Sequence, residues 1–180
     1  PNTGKLRWYS ESIESDSYNS SIVVADGVIY GIEGRSGGSA AVKAGGKGDV
    51  TETNTVWTGN DTARFATPLV HDGRLYYFAN GVANCISATD GQSIFKGRLP
   101  SASSPQRTQP PAEREQPSRQ GGFGGRGGFG GRGGRGGFGG MDYSSPVMAD
   151  GKIYYVKHDG TTYVINASNE FELLATNQRS

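Results

Sequence analysis

Two histidines, His71 and His158, and one cysteine, Cys85, are the only side chains of a 180-residue chain suited to imidazole or thiolate chemistry. Each histidine stands beside an Asp-Gly pair, His71 before Asp72-Gly73 and His158 before Asp159-Gly160. That is turn sequence, so both imidazoles are expected on exposed loops. No arrangement readable in the sequence joins a Ser, Thr or Cys nucleophile to a positioned base. A single cysteine excludes an internal disulfide framework and a CxxC metal site, and Cys85 within ANCISA reads as a small buried strand residue. Asp26, Asp72 and Asp150 could be taken for a metal cluster, but each precedes a glycine (Gly27, Gly73, Gly151), where the carboxylate is expected to cap its own turn. The stretch AGGKGDVT from Ala44 suggests a phosphate loop, yet it lacks the first glycine and the Ser or Thr after Lys47 that a Walker loop requires. No catalytic residue, cofactor contact or metal ligand is assigned.

A second chemistry is written in GGFGGRGGFGGRGGRGGFGG, from Gly121 to Gly140. Arg126, Arg132 and Arg135 supply guanidinium charge, and Phe123, Phe129 and Phe138 supply stacking faces. Arginine-glycine segments engage single-stranded RNA in this way. Three arginines release only a few counterions, so such binding is weak and salt-sensitive. Residues 101–140 combine this tract with a first half carrying Pro105, Pro110, Pro111 and Pro117, and they cannot bury enough apolar surface to offset their ordering entropy. They are expected to form a solvated insertion. Their six Arg outweigh Glu113 and Glu115 by four charges, which leaves a net −3 on the rest of a chain whose total is +1. By charge, the foldable part is no nucleic-acid surface.

The elements that must carry everything else come from a repeat. SIVVADGVIYG from Ser21, TPLVHDGRLYY from Thr67 and SPVMADGKIYY from Ser145 align: a hydroxyl residue, a short apolar run, Asp-Gly, then a bulky apolar residue and Tyr. Two apolar strand segments around Asp-Gly predict a β-hairpin. A third strand follows at ANCISA and TYVINA, and a fourth at QSIFKGRL and, after a longer glycine-rich loop, at NTVWTG. Asp26 to Asp72 spans 46 residues and Asp72 to Asp150 spans 78, and removing the forty-residue insertion brings the second spacing near the first. A period of roughly 40 residues is the size of a four-stranded propeller blade. No helical periodicity is present.

With those residues in hand, the chain resembles the PQQ-like β-propeller repeat family, whose blades end in Ala-x-Asp-x-x-Thr-Gly-x-x-x-Trp. NTGKLRW, with Gly4 and Trp8, fits the end of that motif; ISATDGQSIF, with Gly91 and Phe95, fits with Asp for Thr and Phe for Trp; INASNEFELL has lost both the glycine and the aromatic. AAVKAGGKGDVTETNTVW and YVINASNEFELLATN are similar to the BamB-like propellers common in planctomycetes. The resemblance implies an extracytoplasmic location, periplasmic or secreted, and rings of seven or eight blades. It brings pyrroloquinoline quinone in by family name only. The quinoprotein dehydrogenases hold that quinone under a Trp and against a vicinal Cys-Cys disulfide, with calcium on Glu, Asn and Asp, and one cysteine cannot make that disulfide. Trp8 and Trp57 instead stand at blade ends, where a large flat side chain packs between neighbours.

The expected architecture is therefore all-β: a partial propeller of about three four-stranded blades plus the last strand of a preceding blade, from TGKLRWYS. Residues 1–100 hold that strand and two blades, 101–140 the insertion, and 141–180 a further blade. The expected core comprises Ile22, Val24, Ile29, Leu69, Leu75, Tyr77, Ile86, Val147, Ile153, Tyr155 and Ile165. Beginning at PNTGKLRW without Met, the sequence reads as a piece of something longer, with no signal peptide at Pro1 and no run approaching eighteen apolar residues. The expected function is a non-catalytic binding or scaffold module whose partners are a protein or envelope polymer and the remaining blades of its parent. A fragment of a quinone-dependent dehydrogenase and RNA binding through the arginine tract are the alternatives.

Overall fold

Asp-Gly pairs reverse the chain three times in the same way. In the computed structural model, which describes residues 3–15, 18–33, 37–63, 65–100 and 143–178, both residues of each pair have positive φ: Asp26 50° and Gly27 74°, Asp72 46° and Gly73 69°, Asp150 49° and Gly151 70°. Two consecutive left-handed residues make the turn whose twist matches the flanking strands. Asn80 and Gly81 (53° and 72°) repeat the device at a fourth hairpin.

These turns organise three four-stranded antiparallel sheets. Blade 1 contains β2 (Val23–Ala25), β3 (Val28–Ile32), β4 (Ser39–Lys43) and β6 (Thr55–Gly59). Blade 2 contains β7 (Leu69–His71), β8 (Arg74–Ala79), β9 (Val82–Ser87) and β10 (Ser93–Arg98); blade 3 contains β11 (Val147–Ala149), β12 (Lys152–Val156), β13 (Thr162–Asn166) and β14 (Leu173–Asn177). Strands follow one another in chain order within each sheet. This is an arc of β-propeller blades. The long β4–β6 connection holds β5 (Gly48–Asp49) and a single helical turn, α1 (Thr51–Asn54). The N-terminal strand β1 (Trp8–Tyr9) pairs in parallel with β5.

The repeat extends into details below the level of strands. The N–H of Ala44, Ala88 and Ala167, each just past a third strand, donates to the carbonyl of Gly27, Gly73 and Gly151 respectively, at 2.8, 2.9 and 3.0 Å. Each fourth strand carries a register shift opposite its third strand, leaving Val56, Ile94 and Leu174 as the extra residues. A bulge increases local twist and re-aims the next side chain. Those next side chains are Trp57, Phe95 and Ala175.

Two hydrophobic cores lie between blades. One joins Tyr30, Ile32, Ala41 and Trp57 of blade 1 to Leu75, Tyr77 and Ile86 of blade 2; the other joins Tyr76, Phe78 and Cys85 of blade 2 to Ile153, Tyr155, Tyr163 and Ile165 of blade 3. Phe78 and Tyr155 stack with ring centroids 4.1 Å apart. The expected core residues Leu75, Tyr77, Ile86, Ile153, Tyr155 and Ile165 are buried, and Ile29 and Leu69 are half-buried. Ile22, Val24 and Val147 are not: they are 63%, 60% and 62% exposed. Side chains alternate along a first strand, so Val23 and Ala25 meet blade 2 while Ile22 and Val24 leave the opposite face of blade 1. Val147 leaves blade 3 on the side away from blade 2. No helix is long and apolar enough to cross a membrane among the described residues.

Candidate functional site

The fourth-strand aromatic of blade 1 reaches across to the turn before the fourth strand of blade 2. Trp57 is 7% exposed, its Nε1–H donates to the carbonyl of Ala88 at 2.9 Å, and its indole lies against the Cα of Gly91, where a Cβ would come within 2.8 Å. Gly91 also has φ of 72°, so glycine is required there twice over. The next junction reverses the arrangement. Phe171, from the turn of blade 3, covers Gly97 of β10 so closely that a Cβ on Gly97 would stand 2.0 Å from its ring, and Phe171 approaches Phe95 at 6.0 Å. This exchange accounts for the missing blade-end glycine in INASNEFELL: the aromatic and the glycine have traded blades. The sequence signal, a glycine two residues after Phe95 and an aromatic in the following blade's turn, is visible once the pairing is known.

The other motif residues fall into place around these junctions. Gly4 has φ of 63° with open space at its Cβ position. Trp8 is half-buried in a cleft of about 230 Å³ that runs beside Ile13, Tyr18, Ile22 and Ile29 on the outer face of blade 1. Asp26, Asp72 and Asp150 are surface turn residues on three separate blades, and no group of three potential metal ligands forms among the described residues. Their expected self-capping is corrected: no such side-chain bond forms at these three, because both turn residues are left-handed. Side-chain capping of a following N–H occurs instead at Asp49 with Thr51, Asp90 with Gln92 and Asp159 with Thr161, at 2.9, 3.1 and 2.9 Å. Hydrogen bonds lower the pKa of those carboxylates: with Thr51 at Asp49, with Ser87 and then Gln92 at Asp90, and with Thr161 at Asp159.

His158 is exposed in a turn, as expected; His71 is instead the last residue of β7, half-buried, with Nε2 3.2 Å from the Asp72 carboxylate. Cys85 is fully buried, and burial pushes its thiol up to about 11. Phe123, Arg126, Phe129, Arg132, Arg135 and Phe138 lie outside the described residues.

The antiparallel order puts two kinds of loop on opposite rims. The first-to-second-strand Asp-Gly turns at Asp26, Asp72 and Asp150 and the third-to-fourth-strand connections share one rim; the second-to-third-strand turns and the crossings to the next blade share the other. On that second rim, Asp61 follows β6 and is held from three sides. Its Oδ1 accepts from the Tyr77 hydroxyl at 2.5 Å, its Oδ2 from the Ser39 hydroxyl at 3.1 Å, and its carbonyl from the Gly38 N–H at 2.9 Å. Burial, then the Asp61 carboxylate, raises the pKa of the Tyr77 hydroxyl. Beside this node, a cavity of about 300 Å³ opens between blades 1 and 2, with Asn80, Asn84 and Lys96 on its walls. The sequence reading missed Asp61 and Asn84, which stand in no motif and become neighbours only when blades pack.

Fold and junctions define a β-propeller segment. Its backbone is similar to BamB from Moraxella catarrhalis (TM-score 0.58, 12% identity, covering 97% of this chain and 40% of that one). It is also similar to a europium-containing methanol dehydrogenase (0.53, 10% identity, 97% and 25%). A third likeness is to a quinohemoprotein alcohol dehydrogenase from Pseudomonas putida HK5 (0.57, 14% identity, 93% and 22%). The chain thus spans less than half the length of each. No protein-family model matches the chain, and no curated protein matches it. At these identities the likeness establishes the propeller fold that the sequence resemblance implied.

Proposed function

We propose that the chain is a non-catalytic binding or scaffold part of a β-propeller that works in the cell envelope, with the rim that carries Asp61 as its contact surface. Its partners on this reading are a protein or envelope polymer and further blades of the parent. The observation that carries it is the use made of the groups a quinone would need. Cys85 is a lone, fully buried thiol between blades 2 and 3, and the Trp57 indole is committed to Gly91 and Ala88. Neither offers a quinone a face. Among the described residues, Cys85 and Trp57 are thus committed to packing between blades.

The dehydrogenase reading is favoured only by the backbone likeness to the two dehydrogenases. The experiment that separates the two adds pyrroloquinoline quinone and calcium to the full-length parent protein and follows reduction of an electron-accepting dye with alcohols. We expect no turnover above the protein-free control; measurable turnover overturns the scaffold reading.

A further inference from the structure

The cavity between blades 1 and 2 carries more polar capacity than the fold consumes. Asn84 is 7% exposed on β9 and lines it. Its Nδ2 donates to the Val82 carbonyl at 3.1 Å, while its Oδ1 has no partner among the described residues. That oxygen is open to solvent at the cavity, where a ligand or water can donate to it. Lys96 stands directly across from Asn84 in the β9–β10 register and has no acidic partner among the described residues. Opposite them, the two oxygens of Asp61 each accept one hydroxyl, and a carboxylate can accept about four bonds in all. The amides of Asn60 and Asn80 complete the mouth, and Ala79 and Val82 give it a small apolar floor.

From this we propose that the cavity binds a neutral saccharide unit, an assignment that rests on reading this rim as a contact surface. One fixed carboxylate and one ammonium balance each other, so neither a strongly anionic nor a strongly cationic ligand is favoured. A sugar ring presents hydroxyls that both donate and accept around its edge and C–H groups on its face. Those match, in turn, the acceptors Asp61 and Asn84, the donors Lys96, Asn60 and Asn80, and the Ala79–Val82 floor. The volume of about 300 Å³ is at the lower end of the roughly 300–1,000 Å³ of small-molecule sites, enough for one ring. Two of the walls are already held: Asp61 is pinned by Ser39 and Tyr77, and Asn84 donates to the Val82 carbonyl. Preorganised walls cost little on binding.

The test titrates N-acetylglucosamine into the isotope-labelled 180-residue protein and follows the side-chain amide resonances of Asn80 and Asn84. Saturable shifts of both are expected. Lys96→Met, at an exposed strand position, should weaken the apparent affinity roughly tenfold, as loss of a charge-assisted hydrogen bond implies, with the rest of the spectrum unchanged. Asn84→Leu, if it folds, should abolish the saturable response at Asn80; if it does not fold, Lys96→Met decides alone. Shifts that fail to saturate, or an affinity that Lys96→Met leaves unaltered, overturn the proposal. The dye-reduction assay reads a different property. A silent titration therefore removes the saccharide site without touching the non-catalytic reading, and turnover would do the reverse.

Discussion

The backbone N–H of Thr67 donates to the hydroxyl of Ser145 at 3.0 Å across 78 residues of chain. The N–H of Ser21 makes the equivalent bond to the hydroxyl of Thr67 at 3.2 Å. These are the three hydroxyl residues that open the repeated hairpin units, so the sequence repeat is also a physical relay from blade to blade. It spans the 101–142 crossing as readily as the short 60–66 one.

Removing one acceptor of that relay should loosen one junction only. Ser145→Ala is expected to cost about 0.5–1.5 kcal/mol, the net worth of one such bond. Urea unfolding measures the loss. Hydrogen exchange should quicken at the Thr67 amide while the Ser21 amide stays as it was; equal acceleration at both would contradict a pairwise relay.

Gly97 and Phe171 should behave as a coupled pair. Gly97→Ala alone drives a methyl into the ring and is expected to destabilise by at least about 1–3 kcal/mol, the range for overpacking a filled site. In a Phe171→Ala background the same change should cost far less. A double-mutant cycle in denaturant checks this, and additivity within a few tenths of a kcal/mol would show that the two do not touch.

At the first junction the partners are reversed, and so is the expectation. Trp57→Ala should cost about 3–5 kcal/mol through lost burial and cavity formation, and it leaves the Ala88 carbonyl without its donor. Gly91→Ala should remain costly in the Trp57→Ala background, because its φ of 72° disfavours any side chain there. Thermal unfolding of the three variants distinguishes this strain from the simple clash at Gly97.

Alkaline pH should unfold the protein through its blade 2 core. Burial pushes the Cys85 thiol from 9.0 up to about 11, and burial together with the neighbouring Cys85 pushes the Tyr76 hydroxyl from 10.0 up to about 12. Both groups bind their protons more tightly folded than unfolded. Their contribution is complete below pH 9 and is lost as pH rises through about 11 and 12. The urea midpoint is expected to fall across that window, and Cys85→Ala should flatten the portion between 9 and 11. In the native state at neutral pH, Cys85 should resist thiol reagents until denaturant is added; immediate labelling would contradict its burial.

Hairpins, strand order and blade period were legible in the sequence because each depends on residues close together in the chain. Asp26-Gly27, Asp72-Gly73 and Asp150-Gly151 need only their own backbone to turn left-handed, and the apolar runs beside them need only alternate. What those strands bury is a different matter. Val23, Leu69 and Val147 occupy one repeat position. The first two pack into the cores between blades, while Val147 is 62% exposed, since packing depends on which sheet stands alongside. The exchange of aromatic and glycine between Trp57–Gly91 and Gly97–Phe171 was hidden for the same reason, as was the meeting of Asp61 with Ser39 and Tyr77. Local turn chemistry was thus written in the sequence itself, whereas the junctions and the rim cavity were decided by sheet-on-sheet contact between residues dozens of positions apart.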